Sequence, residues 1–279
     1  MRNIDIEQIT TTVKSLTMDA NYNIGESFLE RLRLALRTEK SGIGKNVLEQ
    51  IIENDEIASE NKEPMCQDTG MVVVFIEIGY DVHLNGDLYD AVNEGVRQAY
   101  KEGYLRKSVT KHPITRGNSN DNTPAIIHTR LVKGNQIRIT LAPKGGGSEN
   151  MSLVKMLIPS DGLEGIKKLV LKSIFEAGGK PCPPLVVGIG IGGNLEKSAL
   201  IAKEAIMRDI DDVNPDPILA KLETEWLDEI NRLGVGPMGF GGSTTALAVK
   251  IAAYPCHIAS LPVAINIQCH ASRHQSAII

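Results

Sequence analysis

Apolar residues recur at helical spacing through the opening stretch: Ile6, Ile9, Val13 and Leu16, then Phe28, Leu32 and Leu36, then Val47, Ile51 and Ile52. Each segment can bury one face and wet the other, which predicts a run of helices. At residue 71 the period changes. MVVVFIEI over 71–78 is β-branched and almost continuously apolar, follows the turn-forming Asp68-Thr69-Gly70, and predicts a strand covered on both faces. Leu88, Val92, Val96 and Tyr100 return to helical spacing, and residues 125–132 and 136–142 flank Lys133-Gly134-Asn135 as a β-hairpin would.

Leu163, Ile166, Val170 and Ile174 predict a helix stopped by Gly178 and Gly179, after which Pro181, Pro183 and Pro184 stiffen the chain around Cys182. The run LVVGIGIGG over 185–193 reads as a strand and tight turn. Helices are predicted at 195–207 and 222–233, separated by the acidic DIDDVNPDP and followed by the glycine-rich GVGPMGFGG. A further helix is expected near 244–253, then a strand, LPVAINIQ, that delivers Cys269. The fold class is therefore α+β: one domain over 1–279, with a helical lobe over about 1–65 and a mixed α/β lobe over 66–279.

Composition narrows the chemistry. With 42% hydrophobic and 23% charged residues the chain has material for a core, and a net charge of -4 with scattered Lys and Arg offers no footprint for nucleic acid. No apolar run approaches the roughly 20 residues needed to cross a bilayer. The opening MRNIDIEQITTTVKSL lacks the basic start and apolar stretch of a signal peptide, so a cytoplasmic protein is expected. Four cysteines, Cys66, Cys182, Cys256 and Cys269, form no CxxC pair. Spacing alone reads them as small buried hydrophobes.

Two glycine motifs compete for attention. Gly188 to Gly193 match GxGxxG, but a dinucleotide fold needs a second parallel strand ending in an acid about 20 residues on, where this chain reads MRDIDDVNPDP. Lys144-Gly145-Gly146-Gly147-Ser148-Glu149-Asn150 could cradle an anion with successive amides, or serve as a flexible turn.

Met65-Cys66-Gln67-Asp68-Thr69-Gly70, the loop KGGGSEN, the segment GKPCPPLVVGIGIGG and the terminal LPVAINIQCHASRH together resemble the α subunit of class I fumarases and tartrate dehydratases. Tyr104 to Val109, Arg116 to Ala125 and Tyr254-Pro255-Cys256-His257 support the resemblance, which spans almost the whole chain. It implies a cluster-binding fold in which Cys66, Cys182 and Cys269 hold a 4Fe-4S cluster and Cys256 is spare. Three thiolates leave one iron open to act as a Lewis acid, where four would favour electron transfer.

By the same resemblance Gln67, Arg106 and the Gly146 amide region contact a dicarboxylate substrate, with Asp68 and His257 near the reacting atoms. Each has a plainer alternative: an Asx turn for Asp68, a helix cap for His257, a surface ion for Arg106. Single-chain relatives continue into a second domain that supplies further arginines, a lysine and a threonine. The resemblance thus implies a separate β subunit, a hetero-oligomer, and a site completed by both. The activity expected is reversible hydration of fumarate to L-malate, with dehydration of L(+)-tartrate to oxaloacetate as the alternative. An iron-sulfur sensor is a third reading, disfavoured because a sensor needs no substrate clamps.

Overall fold

The computed structural model describes residues 1–279, with elements in the order β1 (Arg2–Ile4), α1 (Ile6–Tyr22), α2 (Glu26–Thr38), α3 (Gly42–Asn61), β2 (Met71–Gly79), β3 (Val82–Leu84), α4 (Leu88–Glu102), β4 (Ile126–Val132), β5 (Ile137–Lys144), α5 (Gly146–Glu149), β6 (Leu153–Leu157), α6 (Gly162–Ala177), β7 (Leu185–Gly192), α7 (Leu195–Ala205), α8 (Pro217–Arg232), β8 (Ala246–Tyr254), β9 (Leu261–Gln268) and β10 (Gln275–Ile278). This is the α+β class read from the sequence. The elements gather into two units built from interleaved stretches: Met1–Ile24, Asn54–Gly146 and Arg273–Ile279 in the first, Gly25–Glu53 and Gly147–Ser272 in the second. The division does not follow the lobes anticipated at 1–65 and 66–279, because the chain enters the first unit three times. No helix is long and apolar enough to cross a membrane.

In the first unit Asp5 and Asp87 cap α1 and α4, each accepting main-chain N–H bonds from the first turn. The two helices lay Ile9, Val13, Val92, Val96 and Tyr100 on a sheet whose covered face shows Val72, Val74 and Ile76 of β2 and Ile137, Ile139 and Leu141 of β5. Burying each such aliphatic side chain is worth about 1.5–3 kcal/mol against solvent. The sheet order is β10-β5-β2-β4, with β2 antiparallel to β5 and parallel to β4. The hairpin expected between β4 and β5 is therefore not formed: both strands exist, but β2 lies between them. Their connection at Lys133-Gly134-Asn135 passes over the end of β2 so closely that a Cβ on Gly79 would stand 2.3 Å from the Gly134 carbonyl oxygen.

The second unit holds a sheet of order β6-β9-β7-β8, with β7 parallel to β8 and antiparallel to β9. Ile166, Val170 and Ile174 of α6 and Leu222, Trp226 and Ile230 of α8 pack against Val187, Ile189, Val249, Ile251, Val263 and Ile265. The helix expected near 244–253 is strand β8. Its alanines favour a helix in isolation, but pairing with β7 and burial of its first six residues override that preference. Within β8 the buried Lys250 donates from Nζ to the main-chain oxygens of Ile210 and Asp212 and to Asp212 Oδ1, which fixes the acidic loop after α7.

These strand directions sort the loops. The residues preceding β7, including Cys182, and those following β9, including Cys269, share one end of the sheet. The loop over 255–260 joins β8 to β9 at the other.

Candidate functional site

In the first unit the chain turns sharply between α3 and β2, and that turn carries Cys66, Gln67 and Asp68. Asp68 Oδ1 accepts the Gly70 N–H at 3.1 Å, closing an Asx turn, and Gly70 sits at φ 76. The other oxygen, Oδ2, accepts the Gly146 N–H at 2.7 Å. One carboxylate thus makes the turn and ties it to the glycine loop. Arg106 Nη2 stands 4.0 Å from Asp68 Oδ1, and the Thr69 hydroxyl donates to the Arg106 carbonyl at 2.6 Å, so main chain and side chain of Arg106 are both tied to the turn. Gln67 and Arg106 are exposed, Cys66 and Asp68 half-buried. Four of the residues singled out from the sequence, Gln67, Asp68, Arg106 and Gly146, are therefore neighbours.

Beneath the turn lies a set of buried side chains that the sequence alone did not single out. The Tyr100 hydroxyl donates to the carbonyls of Thr69 at 2.5 Å and Gly70 at 2.9 Å, and Asn122 Nδ2 reaches the same Gly70 carbonyl at 3.1 Å. Arg273 Nη2 donates to the Asp68 carbonyl at 2.8 Å, and its Nη1 donates to Asn21 Oδ1 at 3.1 Å. Burial raises the Tyr100 hydroxyl above its ordinary range, keeping it a neutral donor. The nearest sequence signal for Asn122 and Arg273 was their presence inside the quoted motifs.

Asp55 on α3 completes this layer. It is 2% exposed, neither carboxylate oxygen has a hydrogen-bond partner, and burial pushes its pKa up to about 7 against the pull of Asn54 and the charge of Arg273. The folded value lies above the unfolded one of 3.8, so the folded protein keeps a proton that the unfolded chain releases. Asp55 therefore favours folding fully below about pH 4, and this contribution is lost as pH rises to about 7. Asp55→Asn keeps the shape and removes the titration. Its stability should exceed that of wild type by a margin that widens by about 2 kcal/mol between pH 5 and pH 7.5, read as a growing difference in melting temperature. A margin that stays constant over that range would mean that Asp55 titrates as an ordinary carboxylate.

In the second unit Cys182 and Cys269 come together: the His270 N–H donates to the Cys182 carbonyl at 3.2 Å, and strand pairing sets Val186 against Gln268 just beyond. Cys182 holds φ 58, an uncommon conformation for a residue with a side chain and one that clusters at functional sites. The glycine-rich loop 234–242 braces this junction, with the Met238 N–H donating to the Pro183 carbonyl at 2.8 Å. The tail of the KGGGSEN motif also lies here. Glu149 accepts from Lys203 Nζ at 2.7 and 2.8 Å and from Asn266 Nδ2 at 3.3 Å.

His257 is placed differently. It sits on the exposed loop before β9, with Nδ1 accepting the Ala259 N–H at 3.1 Å, so the whole of β9, about 25 Å of strand, separates it from Cys269. The second unit does not bring His257 to Cys182 and Cys269. Cys256 beside it is exposed, whereas Cys66, Cys182 and Cys269 are half-buried, and none is in a disulfide.

No three His, Cys, Asp or Glu side chains converge as they would on a single metal ion. A cluster asks for something else, since each thiolate binds its own iron and the cysteines need not meet at a point. Two half-buried thiols at one sheet end, neither in a disulfide, on segments joined by a main-chain bond, suit that requirement.

The family model described as fumarate hydratase (Fumerase) matches residues 10–278. A Methanocaldococcus jannaschii protein provisionally named L(+)-tartrate dehydratase subunit alpha is 46% identical over 273 residues, 95% of each chain. The L(+)-tartrate dehydratase subunit alpha of Escherichia coli O157:H7 is 28% identical over 277 residues, 98% of this chain and 91% of that one.

Proposed function

The chain belongs to the fumarate hydratase family of hydro-lyases, and from that premise we propose that it is the α subunit of a cytoplasmic L(+)-tartrate dehydratase whose site is completed by a β subunit. The observation that carries the choice of substrate is the similarity, along almost the whole of both chains, to a protein named for tartrate dehydration. This reverses the order of the two substrates expected from the family resemblance, whose motifs are common to both and which placed fumarate first. Fumarate hydration is the second reading, favoured by the family's own description.

By family resemblance Cys66, Cys182 and Cys269 would hold a 4Fe-4S cluster, which when bound supplies an open iron as a Lewis acid for the departing hydroxyl. The remaining work falls to side chains and amides. A dicarboxylate needs its charged ends fixed, and Arg106 offers a forked guanidinium, exposed and ready to take one carboxylate. Gln67, exposed on the same turn, adds donor and acceptor groups suited to a second oxygen. Asp68 engages two main-chain amides, Gly70 and Gly146, so its part in the reaction is to orient the turn and glycine loop against each other. The acceptor of the carbon-bound proton is assigned to the β subunit, and His257 is given no step.

The test is anaerobic co-purification of the chain with its partner, then comparison of kcat/KM for L(+)-tartrate and L-malate. Tartrate should be preferred by at least about 10-fold, the discrimination available when a site bonds an extra hydroxyl. The opposite preference would select the fumarate reading. A complex that dehydrates neither would end both.

A further inference from the structure

Three carbonyls of the Asp68 turn are held from below, and the donors differ in kind. Thr69 and Gly70 receive neutral groups, the Tyr100 hydroxyl and the Asn122 amide, whereas Asp68 receives a guanidinium. A neutral donor would satisfy a carbonyl equally well. Taking a cation out of water costs several kcal/mol, and Arg273 is 2% exposed. The one charged support therefore stands under the one residue of the turn that bears a carboxylate.

Its setting keeps that charge directed at the turn. Asp55 acts on Arg273 through charge alone, because neither its oxygens nor the Arg273 Nε has a hydrogen-bond partner. With Asp55 titrating at about 7, its countercharge is incomplete at neutral pH. The space above is small and shared. A Cβ on Gly145 would stand 3.1 Å from Asp68 Oδ2 and 3.7 Å from Arg273 Nη2, so cation, carboxylate and glycine loop lie close together.

We propose that Arg273 is a positioning residue for Asp68: its fork, fixed between Asn21 and the Asp68 carbonyl, sets the direction in which the Asp68 carboxylate meets the Gly70 and Gly146 amides. The link to turnover rests on the hydro-lyase reading above; the link to geometry does not. A lysine keeps the charge but lacks the planar fork that spans two acceptors. A methionine keeps bulk and loses both.

Two measurements separate the possibilities. The first is hydrogen exchange on the isolated full-length chain, which needs no activity. In Arg273→Lys the amides of Gly70 and Gly146 should exchange at least about 10-fold faster, while those of Val72, Val74 and Ile76 in β2 keep wild-type protection. Unchanged exchange at Gly70 and Gly146 would overturn the proposal, and so would an equal loss across β2, which would make Arg273 a general prop of the fold. The second is steady-state kinetics of the complex with the β subunit. Arg273→Lys should lower kcat by about 10-fold and Arg273→Met by about 100-fold, with KM within about threefold of wild type, as expected for misaimed groups. A raised KM at constant kcat would place Arg273 in substrate binding instead. If the wild-type complex shows no dehydratase activity, the hydro-lyase reading fails while the exchange result still decides the role of Arg273.

Discussion

On the proposed ligand set and activity, Cys182→Ala and Cys269→Ala, each purified anaerobically with the proposed β subunit, should give folded proteins that have lost bound iron and sulfide together with at least about 10³-fold of the dehydratase rate. The size follows from the several kcal/mol that a Lewis acid contributes to a departing hydroxyl, at 1.36 kcal/mol per decade. The fold should survive, because both thiols are half-buried at a sheet end and the bond joining the two segments runs between the His270 amide and the Cys182 carbonyl, which the substitution leaves intact. Cys66→Ala should behave the same way. Cys256→Ala is the contrast: that thiol is exposed at the opposite end of β9, 3.4 Å from the Ser260 carbonyl, and its removal should leave iron, sulfide and rate at wild-type levels. Iron retained in Cys182→Ala, or lost in Cys256→Ala, would sink the ligand set.

Reading the sequence succeeded where a single element carries its own pattern. The periodic apolar faces of α1, α4 and α6 and the continuous β2, β7 and β9 were legible because burial leaves a repeat of 3.6 or an unbroken β-branched run. It failed where partners decide the outcome. Strands β4 and β5 look like a hairpin from either side of Lys133-Gly134-Asn135, and only the sheet shows β2 between them. Alanine-rich β8 is a strand because β7 pairs with it, and the short edge strand β6 has too few residues to declare a period.

The site divides in the same way. Gln67, Asp68, Arg106 and the glycine loop were found through motifs, and their proximity in the first unit is a matter of hydrogen bonds that no spacing reveals. For Asp68 the plainer reading, an Asx turn, is formed by one oxygen, and the other is left to engage Gly146. Arg273 and Asp55 were invisible for a different reason. A buried charge declares itself only by what surrounds it, and Asn21, Asp68 and Arg273 are brought together by a chain that returns to the first unit in its last residues.

Gly190→Ala should destabilise the protein by about 3 kcal/mol and lower its melting temperature by about 6–12 °C, at roughly 2–4 °C per kcal/mol for a chain of this size. The match to a dinucleotide motif reads Gly188 and Gly190 as a cradle for phosphate, and in that case adding a methyl group would weaken a ligand and spare the fold. The geometry argues for packing. A Cβ on Gly190 would stand 2.1 Å from the Ser198 carbonyl oxygen and 2.8 Å from the Ala202 nitrogen, and one on Gly188 would stand 2.3 Å from the Ala202 carbonyl oxygen. These are main-chain atoms of α7, which cannot rotate aside as a side chain can, so the whole helix would have to lift from β7. The parallel neighbour that a dinucleotide fold requires does exist, as β8, but it arrives only after α7, the acidic loop and α8, and it ends at Tyr254 without an acid. Gly117→Ala is the matched control, because nothing lies within 4 Å of the added methyl group, and its melting temperature should not change. If Gly190→Ala melts within about 2 °C of wild type, the glycines are not there to seat α7 and the phosphate reading regains its ground.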